Sequence, residues 1–65
     1  MFAFVHKIGD RNYYKSDVYY DFLEAAQGVK NYIEEIKLFG RMVGFIEIVE
    51  IDYYRRTKVI EIIKL

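Results

Sequence analysis

His6 is the one imidazole in this 65-residue chain, and the one side chain whose ordinary pKa suits proton transfer near neutrality. General-base work would need a nucleophile or an orienting carboxylate beside it. The single serine, Ser16, stands next to Asp17, and both read as helix caps, so no Ser/His/Asp arrangement is expected. His6 is therefore read as structural. Among the carboxylates, Glu34 and Glu35 are neighbours on a predicted helix and point about 100° apart. Glu47 and Glu50 have opposite parity on a predicted strand. Neither pair converges for acid/base chemistry. With one histidine and no cysteine, no metal site is expected. A phosphate cradle needs a glycine-rich turn between a strand and a helix. Gly40 and Gly44 bracket the reverse passage, from helix to strand. The chain is read as non-enzymatic, without a cofactor.

The run Tyr53-Tyr54-Arg55-Arg56 is the most suggestive polar segment. Tyr and Arg are amphipathic and dominate the centres of protein contacts. They also stack on unpaired bases while guanidinium groups reach phosphates. Tyr13-Tyr14 and Tyr19-Tyr20 repeat the paired pattern. In each pair one ring can pack in a small core while the other lies at the surface. If the two hairpin tips lay together, Arg11, Lys15, Arg55 and Arg56 would form a basic edge.

Length and composition set the frame for these residues. One domain spanning residues 1–65 is expected, of a size that buries roughly 60% of the surface of its unfolded chain. Such small folds usually need a disulfide, a metal or an oligomer as a staple. Lacking the first two, this chain is left with oligomerisation. The hydrophobic fraction of 54% is too high for a disordered segment. Ten basic and ten acidic side chains cancel, so bulk attraction to nucleic acid or an anionic membrane is not expected. The opening MFAFVHKIGD does not resemble a signal peptide. No apolar run approaches the ~18 residues of a membrane span. Absence of cysteine suits a reducing, cytoplasmic setting.

The elements follow from periodicity. Phe2–Ile8 alternates as a strand, and Gly9-Asp10 is a two-residue hairpin turn. Residues 11–15 return as a short polar strand suited to a sheet edge. Val18, Phe22, Ala25, Ala26, Val29, Tyr32, Ile33 and Ile36 recur at three- and four-residue steps, which predicts a helix over about 17–39. Asp21 with Glu24 offers a second start, and Gly40 ends the helix as its C′ residue. Gly28 costs the helix about 1 kcal/mol relative to alanine and is read either as permitting close approach of the sheet backbone or as simply tolerated. Residues 41–52 and 57–65 are the remaining strands, joined by residues 53–56. The order ββαββ gives an α+β fold with one helix on a mostly antiparallel sheet. A β-grasp-like arrangement, with the first and last strands side by side in the middle, fits this order. If residues 11–15 were loop, the fold would be βαββ.

One helix covers one sheet face, yet the strands are apolar on both sides, as in strands buried on two faces. An unpaired carboxylate against the helix would be costly, so Glu61 is assigned outward and Ile60 and Ile62 inward. Without a bulge, parity then places Val5, Val43, Phe45, Val49, Ile51, Val59, Ile63 and Leu65 on the uncovered face. An apolar patch of that kind marks an interface. The chain is read as a protein-interaction module, a homodimer associating through this face or a module binding a protein partner. The alternative is single-stranded nucleic-acid binding through Tyr53, Tyr54, Arg55 and Arg56.

Overall fold

In a computed structural model describing all residues from Met1 to Leu65, the alternation of Phe2–Ile8 becomes strand β1. Gly9, at φ +64°, turns the chain into β2 (Arg11–Lys15). The short polar segment is a strand, which removes the βαββ alternative. α1 (Phe22–Leu38), β3 (Phe45–Ile51) and β4 (Thr57–Lys64) complete the ββαββ order, and the fold is α+β.

Asp21 rather than Ser16 or Asp17 starts the helix. Its Oδ1 accepts the backbone N–H of Glu24 at 2.9 Å, satisfying one of the free donors of the first turn. Ser16 belongs to the sheet instead: its Oγ accepts from the Phe4 N–H at 2.8 Å and donates to the Asp17 carbonyl at 2.8 Å. The predicted stop holds. Gly40 has φ +66°, and the N–H groups of Gly40 and Arg41 close on the carbonyls of Lys37 and Ile36 at 3.3 and 2.9 Å, the Schellman pattern.

The sheet is antiparallel throughout, in the order β2-β1-β3-β4. The first and last strands are therefore not neighbours; β1 pairs with β3, and β4 is an edge. The path of the helix explains this. α1 climbs from beside Phe2 to the far end of β1, so the chain re-enters the sheet next to Lys7 and runs back antiparallel along β1. Gly44 makes the re-entry possible. At φ +83° its Cα presses on the Lys7 carbonyl, where a Cβ would collide. The pairing also places the Gly9-Asp10 turn and the Tyr53–Arg56 loop at opposite ends of the sheet, so they do not share a basic edge.

Phe4, Ala25, Val29, Ile46 and Ile48 form the buried core between α1 and the two central strands. Phe2, Phe22, Tyr19, Tyr32, Ile33, Ile63 and Leu65 pack around it. Two of these correct the expected faces. Ile63 and Leu65 lie on the helix side, and Ile62 lies on the open side, 62% exposed. The cause is a bulge in β4. Ile48 pairs with Glu61 but Val49 pairs with Val59, leaving Ile60 as an extra residue. One inserted residue reverses the parity of everything beyond it. Glu61 sits on the helix side without penalty because α1 lies over β1 and β3 and does not reach β4. Its carboxylate remains in water.

Candidate functional site

His6 is fully buried and both ring nitrogens are engaged. Nε2 lies 2.7 Å from the Val43 carbonyl oxygen and Nδ1 lies 2.7 Å from the Tyr32 hydroxyl. A carbonyl only accepts, so Nε2 carries the proton. In the neutral ring Nδ1 then accepts from the Tyr32 O–H. Burial, reinforced by the neighbouring Tyr13, Tyr14 and Glu35, raises the Tyr32 pKa above the ordinary phenol value, which keeps that donor protonated. Neither ring nitrogen is left without a partner. His6 ties β1 to α1 and to the passage before β3; it is a strut. Val43, assigned from sequence to the open face, lies outside β3 and is spent on this strut through its carbonyl.

A second bulge in β2 builds the wall beside it. His6 pairs with Tyr14 and Lys7 with Asn12, so Tyr13 is the extra residue. Tyr14 stacks on Tyr32 with ring centroids 4.7 Å apart, while Tyr13 meets His6 edge-on at 5.3 Å. Both consecutive tyrosines thereby reach the helix side. With Glu35, Ile36, Phe39 and Arg41 they line a shallow open groove. Sequence reasoning assigned one tyrosine of each pair to the core; the bulge that recruits both has no residue signature.

The Tyr53–Arg56 loop is more ordered than its lack of Gly and Pro suggests. Asp52 organises it: Oδ1 accepts the N–H groups of Tyr54 and Arg56 at 2.9 and 2.8 Å, and Oδ2 pairs with Arg56 Nε at 2.9 Å. The Asp52 carbonyl accepts from Arg55 N–H at 3.0 Å, and the Asp52 N–H donates to the Arg56 carbonyl at 3.0 Å. This is a three-residue hairpin loop whose last position takes a left-handed conformation, usually filled by Gly. Arg55 occupies it at φ 64°. The Arg56 guanidinium lies over the Tyr54 ring, 5.1 Å from its centroid. Tyr53 projects at 93% exposure, and the Arg55 side chain makes no ion pair.

The open sheet face is the third surface. No element covers it. Val5 and Val49 are already buried at its centre by their in-plane neighbours, Phe45 and Ile51 are half-buried, and Val59 and Ile62 are exposed. Lys7 Nζ and Glu47 Oε1 pair across it at 3.2 Å. Glu61, assigned to this face from sequence, is on the other.

No group of three His, Cys, Asp or Glu side chains comes together that could hold a metal ion, and no helix is long and apolar enough to cross a membrane. No protein-family model matches the chain, and searches of curated proteins and of solved structures return no match.

Proposed function

We propose that this chain is a small non-enzymatic interaction module that self-associates, burying the sheet face opposite the helix in a homodimer. The observation that carries the reading is the composition of that face. Phe45, Ile51, Val59 and Ile62 surround Val5 and Val49, and the two charges among them, Lys7 and Glu47, neutralise one another. Burying an unpaired charge would oppose association, and that obstacle is absent. Lys15 and Lys64 fall at the margins by register, as in the polar rim of an interface. A cysteine-free chain suits a reducing compartment, and the reading assigns the module to the cytoplasm.

The test is solution mass by light scattering across a wide concentration range, for the wild type and for Phe45→Glu. The reading expects an assembly whose mass Phe45→Glu halves while the chain stays folded. An assembly that keeps its mass with glutamate at this position rules the face out.

Nucleic-acid binding is the second reading, favoured by one observation. Asp52 holds the Arg56 guanidinium over the Tyr54 ring, and Tyr53 projects edge-on to Tyr54, a grouping of cation and aromatic faces suited to unstacked bases. It expects salt-sensitive binding of single-stranded oligonucleotides that Arg55→Ala and Arg56→Ala each weaken. Binding indifferent to salt and to both substitutions would remove the loop from consideration.

A further inference from the structure

β4 has the residues of an interior strand and stands at an edge. Val59, Ile60 and Ile62 are exposed, the helix does not reach them, and the outward main-chain groups of the strand have no neighbouring strand. We propose that this free edge pairs antiparallel with β4 of a second copy, so that Lys58 of each chain meets Glu61 of the other. The proposal rests on the self-association reading above and names a second surface for it.

The bulge at Ile60 makes the strand self-complementary. Residues three apart on a regular strand point to opposite faces. Here Lys58 pairs with Glu50 and Glu61 pairs with Ile48. Glu50 and Ile48 share a face of β3, so Lys58 and Glu61 share a face of β4. Two antiparallel edges related by a two-fold axis perpendicular to the sheet keep their faces. Opposite charges directly across such a ladder attract, and like charges repel. In the register that sets Lys58 against Glu61, the contact occurs twice, once on each side of the axis. Between the two contacts Val59 faces Ile60, and beyond them Thr57 faces Ile62. Neither Lys58 nor Glu61 makes an ion pair within its own chain.

Lysines and bulges also protect edges against indiscriminate pairing. On β4 they discriminate between registers. Pairing centred on Glu61 would set the two Glu61 carboxylates together, and is disfavoured. The shifted register alone joins the charges, so the same residues exclude one pairing and select another. Edge pairing leaves the outer face of each sheet free. Both contacts together give an assembly of four chains, two eight-stranded sheets packed face to face.

The experiment measures mass by light scattering and sedimentation for the wild type, Lys58→Glu, Glu61→Lys, the double swap and Phe45→Glu. All the charge changes are at exposed positions, and circular dichroism confirms folding. Expected are four chains for the wild type, half that mass for each single reversal, and recovery in the swap. Phe45→Glu should leave an edge-paired dimer. If only Phe45→Glu changes the mass, the open face stands and the edge proposal is overturned. Reversals that dissociate an assembly indifferent to Phe45→Glu leave the edge standing and remove the face. Single reversals that dissociate without recovery in the swap overturn the Lys58–Glu61 register. A monomeric wild type overturns both surfaces.

Discussion

The phenol of Tyr19 lies over Gly28, so close that a Cβ at position 28 would strike its hydroxyl oxygen and ring. Gly28 interrupts the helix for the sake of a side chain from the preceding loop. Sheet backbone, which the sequence suggested, is not what approaches. Tyr19 cannot easily withdraw. Its main chain exchanges two hydrogen bonds with Phe2, at 2.9 and 2.7 Å, and its ring stacks on Phe4 with centroids 6.2 Å apart.

Gly28→Ala therefore opposes two effects. Helix propensity favours alanine by about 1 kcal/mol, while overpacking against a held ring costs about 1–3 kcal/mol. Net destabilisation is expected in denaturant unfolding. In a Tyr19→Ala background the sign should reverse, because the obstacle is gone. A stabilising Gly28→Ala in the wild type would show that the ring moves freely.

The His6–Tyr32 pair has a spectroscopic signature. In the neutral ring, nitrogen-15 NMR should find the proton on Nε2 and none on Nδ1. Tyr32→Phe removes the only partner of Nδ1 and should cost about 1–3 kcal/mol, the usual range for an orphaned buried acceptor. A bound proton on Nδ1, or an unchanged stability in Tyr32→Phe, contradicts the assignment.

Alkaline pH should unfold the protein earlier than its acid groups predict. The phenols of Tyr19 and Tyr32 both have pKa values raised above 10.0, first by burial. Their contribution is complete below the unfolded value near pH 10 and is lost as pH rises through the higher folded values. Thermal melts from pH 8 to 11.5 should hold steady and then fall above about pH 10. The fall should be smaller in Tyr32→Phe, measured against its own neutral value. A Tm that declines equally in both proteins would assign the effect to other groups.

Arg55 pays a conformational penalty at φ 64° that glycine would not. Arg55→Gly should stabilise the chain by up to about 1 kcal/mol in denaturant unfolding. A loss of stability would mean that the Arg55 side chain makes contacts that outweigh the backbone strain.

Ile62 and Ile63 separate the two faces of β4. Ile63→Glu forces a carboxylate toward the core and should lower stability by several kcal/mol, as burial of a charge does. Ile62→Glu should cost the fold far less and act instead on the mass of the assembly. The reverse outcome would restore the parity of an unbulged strand.

Much of this architecture follows from local sequence. Alternation in β1, the three-and-four spacing of Phe22, Ala25, Val29 and Ile36, the Asp21–Glu24 cap and the Gly40 stop depend on residues within a turn or two of one another. Such features need no distant partner. The apolar character of both strand faces was equally legible, and with it the expectation of an uncovered surface.

Tertiary structure alone decided which strands meet and which residues face that surface. β1 takes β3 as its neighbour because a helix of this length returns the chain beside Lys7, where Gly44 permits the contact. β4 is thereby left at the edge, beyond the helix. That exposure makes a carboxylate at Glu61 harmless on the helix side and permits the bulge at Ile60. A bulge is a mismatch between two strands far apart in sequence, so neither strand carries its signature. One extra residue sends Ile63 and Leu65 to the core and Ile62 to the surface, because side-chain direction along a strand has a period of two.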